Sequence, residues 1–164
     1  MKEEGLMDII QFLTEQHVSY QRYDHAAVFT VHQANQLDVK ISGLATKNLF
    51  LRDGKGKRHW LWVGADDDPL DLATLALRLE VKRLSLASND RLAAFLKSAP
   101  GRVSLLDMFN AQPHQVTLLV TSSVWNCKSA QCHPFDNAVT LDINMAQLKP
   151  LLQRLDNEVV ILNE

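Results

Sequence analysis

The stretch "ATKNLFLRD", residues 45–53, sets a charged side chain on an oily face. A strand turns every second residue to the same side, which here collects Ala45, Lys47, Leu49 and Leu51. Lys47 is the only ionic member of that set. One account needs no function: the butyl stem packs on apolar neighbours while the ammonium reaches water. The chemical account is an ammonium at the mouth of a pocket, where a partly desolvated cation stabilises a phosphate or a developing oxyanion. Asn48 faces the opposite side and suits holding backbone or a loop.

Two further stretches carry polar groups in suggestive places. In "CHPFDNAVTLDI", residues 132–143, His133 precedes a proline, so its backbone is biased toward an extended or turn conformation just before a strand. Such a histidine is either a hydrogen-bonded structural residue or a titrating functional one. Asn137, four residues on, suits a turn stabilised through its own backbone. In "APGRVSLLDMFN", residues 99–110, Gly101 lets backbone amides approach a ligand, although a plain loop leaving a helix looks the same. Cys127 and Cys132, with His133 and His114, are the nearest thing to a metal set. Their gap has no second ligand pair at zinc spacing, so two reduced thiols near a loop are expected, and no metal. Phosphate-cradling glycine loops, G-x-S-x-G and H-E-x-x-H are absent, so an active site must be assembled from scattered polar groups.

The elements that must position these groups follow from periodicity. Leu6, Ile9, Ile10 and Leu13 recur at helical spacing and predict a first helix over residues 5–17. "SYQRYD" reads as a short strand, and "TVHQANQL" as a helix opened by Thr30 with Gln33 three residues later, a capping box. "TKNLFLRD" and "RHWLWVG" flank "DGKGK" and form a β-hairpin. "PLDLATLALRLEV" and "NDRLAAFLKS" predict helices on either side of a strand "LSLAS". "HQVTLLVTSSV", "AVTLDI" and "EVVIL" are strands rich in β-branched residues. Asn144 caps a last helix, "MAQLKPLLQRL", which Pro150 is expected to bend or interrupt. With no repeat or long linker, residues 1–164 make a single α+β domain, a mixed sheet with flanking helices.

Composition bounds the function. At 46% hydrophobic and 22% charged residues the chain is an ordinary globular one. Its apolar runs are too short for a membrane span, and its acidic start is unlike a signal peptide, so a cytoplasmic protein without membrane contact is expected. A net charge of −2 provides no global pull toward nucleic acid. Locally, Arg52, Lys55, Lys57, Arg58 and His59 crowd the hairpin turn, either as a solvated tip or as a patch that steers an RNA end with strong salt dependence.

Taken together, "HAAVFTVHQA" (25–34), "TKNLFLRDGKGKRHWLWV" (46–63), "LSLASNDRLAAFLKSAPGRVS" (84–104) and "CHPFDNAVTLDI" (132–143) resemble the YbaK-like, prolyl-tRNA synthetase-associated editing domains, in order and over nearly the whole chain. Within that family the chain is most similar to free-standing deacylases of alanyl-tRNA carrying a proline anticodon. The resemblance implies an α+β fold around a shallow pocket for the aminoacyl adenosine end, and hydrolysis of the aminoacyl ester without a cofactor. The implied partners are a mischarged tRNA and a prolyl-tRNA synthetase. Lys47 matches the lysine on which family activity depends, Gly101 the glycine of the loop bordering the pocket, and His133 the pocket histidine. Thr30, Asn48, Ser104 and Asn137 match substrate-binding positions around it. The chain departs from the family in Leu105-Leu106, where a Pro-Phe pair shaping the pocket floor is common, and in Phe135-Asp136, where an aliphatic pair is commoner. Alternatives left open are a cysteinyl or seryl specificity, a binding module without chemistry, and a zinc hydrolase using Cys127, Cys132 and His133.

Overall fold

The computed structural model describes residues 6–27 and 40–163. In chain order the elements are α1 (Ile9–Glu15), β1 (Tyr20–Asp24), β2 (Thr46–Asp53), β3 (His59–Ala65), α2 (Leu72–Arg78), β4 (Leu84–Leu86) and α3 (Asn89–Leu96). A 3-10 helix (Leu105–Asn110) is followed by β5 (Val116–Thr121), α4 (Ser122–Trp125), β6 (Ser129–Cys132), β7 (Val139–Asn144), α5 (Met145–Gln153) and β8 (Val159–Leu162). The strands form a five-stranded mixed sheet, β4-β2-β3-β5-β8, and a three-stranded antiparallel one, β1-β7-β6. In the larger sheet β3, β5 and β8 run parallel, and β2 is antiparallel to both neighbours. A single parallel bridge, Leu44 to Ala130, joins the two sheets.

Alternation along β2 and β3 explains why the larger sheet is covered on both faces. Phe50, Leu61 and Val63 enter the main core with Leu92 and Leu96 of α3, Leu105, Leu106, Leu141 and Leu148. Leu51, Trp60 and Trp62 enter a second core with Leu75 and Ala76 of α2, Leu84, Leu119 and Leu162. A strand buried on both faces reads as a nearly continuous apolar run, and all seven residues of β3 are buried.

The hairpin, the first and last helices and the strands lie where the sequence places them, while the helix expected over "TVHQANQL" falls outside the described residues. Asn144 does cap α5: its side chain accepts from the Gln147 amide. Pro150, expected to bend or interrupt that helix, sits inside it without ending it. Ala146, whose carbonyl loses its partner to the proline ring, is exposed like Pro150, so water can serve that carbonyl. The sequence reading missed β6, the 3-10 helix and α4, which begins at Ser122, so the strand expected over "HQVTLLVTSSV" ends at Thr121. Leu105 and Leu106, expected at the pocket floor, are both buried in the main core, where the 3-10 turn presses them under α3.

Candidate active site

Lys47 opens β2 directly opposite Gly64 of β3. A side chain at Gly64 would collide with Trp62, its neighbour on the same face: a Cβ there would lie 2.4 Å from the indole ring. The missing side chain therefore lets the indole lie across this position, and Lys47 Nζ rests 5.7 Å from the ring centroid. Lys47 is half-buried, so stem packing and a reachable ammonium coexist. Asp68 supplies the local negative charge. Its Oδ2 accepts from the Ala65 amide (2.8 Å) and Thr121 Oγ1 (2.6 Å), and its Oδ1 from Ser123 Oγ (3.2 Å). Burial opposes that charge, yet the Thr121, Ala65 and Ser123 hydrogen bonds and the Lys47 ammonium hold the carboxyl below its ordinary value. Ala65 and Thr121 end the parallel strands β3 and β5, so this corner lies at the carboxyl ends of parallel strands, a usual position for ligands in such sheets.

Asn48 leaves β2 on the other face, beside Thr46 and Phe50. Leu44 donates to Ser129, Gln131 donates back to Leu44, and Thr46 Oγ1 donates to the Gln131 carbonyl at 2.8 Å. The two segments run parallel here, which carries Asn48 toward the end of β6, where His133 follows. Asn48 Oδ1 is buried and has no hydrogen-bond partner among the described residues. β4 covers β2 only from Leu51 to Asp53, so among the described residues no strand pairs with the outer edge of Thr46–Leu49.

His133 Nδ1 lies 2.8 Å from the Val139 carbonyl oxygen. Burial, then the nearby His25, favour the neutral ring over the pull of the Val139 carbonyl and Asp136, and the pKa falls below the ordinary histidine value. His25, at the end of β1, stands edge-on to His133 with centroids 6.3 Å apart and shares a 2.7 Å hydrogen bond with Thr140 Oγ1. Asn137 lies half-buried in the turn before β7.

The Gly101 loop is fastened to this histidine segment. Gly101 has φ +85°, a left-handed conformation that favours glycine. Arg102 then reaches across and donates from Nη1 to the Phe135 carbonyl at 2.9 Å, and Phe135 itself has φ +65°. Ser104 is buried. Its hydroxyl accepts from the Leu106 amide, and its own amide donates to Asp107 Oδ2, a capping box that starts the 3-10 helix. Burial pushes the Asp107 carboxyl up to about 7 against the Ser104 amide bond. Cys132 is buried next to Ser104, and desolvation pushes its thiol up to about 12. Among the described residues no three His, Cys, Asp or Glu side chains gather as a metal site.

The structure thus brings Asn48, Gly101 and His133 to adjoining segments, with Ser104 beneath the loop and Lys47 on the far side of the β2 edge. Thr30 falls outside the described residues. Sequence reasoning missed Arg102, Asp68 and His25. The acidic run "ADDDP" and the adjacency of Arg102 to Gly101 were the available signals, but neither names its distant partner.

Residues 25–151 match the model of the aminoacyl-tRNA editing domain. The chain is 31% identical over 149 residues to the prolyl-tRNA editing protein ProX of Acetoanaerobium sticklandii, covering 91% of each. It is also 31% identical to the prolyl-tRNA synthetase associated domain-containing protein 1 of Danio rerio, over 95% of this chain and 85% of that one. A solved structure described as a candidate trans-editing enzyme for prolyl tRNA synthetase superposes with a TM-score of 0.66 over 100% of this chain and 99% of that one. At 16% identity, that last match speaks for the fold alone. The matched span takes in every segment of the site, and the chain belongs to the aminoacyl-tRNA editing domain family.

Proposed function

We propose that the protein hydrolyses the ester of mischarged tRNA in trans, with alanine on a proline-accepting tRNA as its main substrate. The observation that carries this reading is the convergence at the start of β2. Arg102 fastens the Gly101 loop to the His133 segment, and Thr46 fastens that segment to the strand bearing Lys47. Water attacks the acyl carbon, the bond to the ribose oxygen breaks, and the proton passes to that oxygen, assisted by the neighbouring ribose hydroxyl. Among the described residues no serine or cysteine is hydrogen-bonded to a histidine, and the carboxylate that holds Ser123 is a weakened base, so the route is direct rather than through an acyl-enzyme. Lys47 anchors a terminal phosphate or the charge growing near the ester. After Gly101, the Arg102 amide is bonded to Ala99 and the Ser104 amide to Asp107, so the amide of Val103 takes the role of carbonyl donor. His133, Asn48 and Asn137 bound the acyl group, and Ser104 supports the loop.

The acyl pocket favours a small side chain; one methylene alone gives only roughly 10–200-fold discrimination. The chemistry calls on no metal or cofactor, so dialysis against a chelator leaves the rate unchanged. A prolyl-tRNA synthetase is the natural partner, and the cytoplasm the natural setting.

The test is deacylation of alanyl-, seryl- and cysteinyl-tRNA by wild type and Lys47→Ala. Alanyl-tRNA is hydrolysed fastest, and the variant loses on the order of 10²–10³-fold in rate, as when one charge-stabilising donor is removed. Equal rates for both proteins remove Lys47 from the mechanism. No hydrolysis by wild type makes the domain a binding module, which would instead retain aminoacyl-tRNA on a filter.

A further inference from the structure

His133 holds a definite tautomer. A carbonyl oxygen only accepts, so the 2.8 Å contact with Val139 requires the hydrogen on Nδ1. The neutral ring has one N–H, which leaves Nε2 as a bare lone pair. Among the described residues Nε2 has no hydrogen bond and is not a buried unpartnered atom, so it is left to a ligand. The neighbouring His25 does not compete for it. Its own ring is held by the Ala26 carbonyl at 2.7 Å and by Thr140 Oγ1 at 2.7 Å. The second acceptor is Asn48 Oδ1, buried and without a partner at the end of the strand segment that runs alongside β6. A buried amide oxygen left unpaired costs about 1–3 kcal/mol, which a donor arriving with the substrate would recover.

Two acceptors on adjoining segments, neither with a partner among the described residues, select for a donor. The mischarged ester has one strong donor there, the α-ammonium beside the scissile carbonyl. We propose that His133 Nε2 and Asn48 Oδ1 together receive the α-ammonium of the aminoacyl group, so that this site reads an amino acid as distinct from other acyl groups. The inference rests on the deacylase reading and adds which substrate group His133 meets. An ammonium donor also explains the value of a neutral imidazole: a protonated ring has no lone pair and repels the ligand. The charged and titratable groups nearest His133 are His25 from β1, Asp136 from its own loop and Arg102 from the glycine loop. Lys47, on the opposite face of β2, is left to the phosphate and ester oxygens.

The experiment compares alanyl-tRNA with propionyl-tRNA, which lacks only the ammonium, each rate being divided by that ester's spontaneous hydrolysis. Wild type accelerates the alanyl ester at least tenfold more than the propionyl ester. His133→Ala and Asn48→Ala each lower the alanyl value by tenfold or more and the propionyl value by a clearly smaller factor, so the ratio of the two collapses. His133→Gln, which restores an acceptor oxygen, recovers part of it. Equal acceleration of both esters by wild type, or variants that slow both esters alike, overturns the ammonium assignment while leaving the deacylase reading intact. No acceleration of either ester overturns the deacylase reading itself.

Discussion

Two glycines shape the site for different physical reasons. Gly64 is required by space: any side chain there meets the indole of Trp62, on which the Lys47 ammonium rests. A rigid ring cannot yield as a flexible chain end can, so Gly64→Ala displaces Trp62 and Lys47 with it. The expected result is a tenfold or greater loss of kcat/KM, with a stability cost of about 1–3 kcal/mol by denaturant titration. Gly101 is required by backbone: at φ +85° an alanine is strained by about 1–3 kcal/mol. Gly101→Ala therefore lowers the urea midpoint and raises KM by shifting the loop that Arg102 fastens. His133 adds a pH dependence of defined sign. Burial first, and His25 second, lower its pKa, so the ring stays neutral until the pH drops below its ordinary 6.5. The acid limb of kcat/KM against pH accordingly lies below 6.5, and His133→Ala removes it. Lys47 and His133 were legible in the sequence as residue types in odd places. Their chemistry was not, because a lone pair on Nε2 is fixed by a carbonyl six residues away, and the platform under Lys47 belongs to another strand.

At the level of elements, the hairpin was legible because alternation and a glycine turn state it locally, and α5 because Asn144 is a strong cap. Asn144→Ala should cost about 1 kcal/mol, seen as a lower Tm. The 3-10 helix was not legible, since "SLLDMFN" carries no full helical period. What forms it is the reciprocal cap between Ser104 and Asp107. Burial of its acidic member makes stability depend on pH. In the folded chain Asp107 keeps its proton up to about 7, while the unfolded chain loses it near 3.8. Between those values the native state binds more protons, so stability falls as pH rises from about 4 to about 7 and levels off above. Asp107→Asn retains an acceptor for the Ser104 amide without the charge. The variant therefore loses this part of the slope in thermal melts taken across that range.

Across the whole molecule, the site is a product of contacts far apart in sequence: Arg102 to Phe135 spans 33 residues and Thr46 to Gln131 spans 85. Local patterns cannot express such pairings, which is why the resemblance to a family carried the assembly of the site and periodicity did not. The basic tip is set at the other end of β2 from Lys47. Six residue steps take the strand from Lys47 to Asp53, about 20 Å at roughly 3.3 Å per residue. A stacked nucleotide strand rises roughly 3.4 Å per residue, so the tip meets phosphates several nucleotides away from the acylated end. Lys55, Lys57 and Arg58 are exposed there, and Asp53, which accepts from the Lys57 and Arg58 amides, closes the turn. Replacing those three cations with alanine should raise KM for full-length alanyl-tRNA and flatten its salt dependence. Hydrolysis of an alanylated trinucleotide ending should be unaffected.

Each of the three tryptophans carries a cation over its ring: Arg58 on Trp60 at 4.9 Å, Lys47 on Trp62 at 5.7 Å and Lys149 on Trp125 at 5.2 Å. These contacts give the protein an optical readout of its own. An arriving phosphate that draws the ammonium off Trp62 changes the emission of that indole, whereas Trp125, the last residue of α4, is buried in the main core rather than in the core that holds Trp62 and serves as an internal reference. In a Trp60→Phe background, titration with uncharged tRNA should therefore move the fluorescence of Trp62 alone, and Lys47→Met should abolish the change. Occupancy of the catalytic corner can then be followed without any turnover.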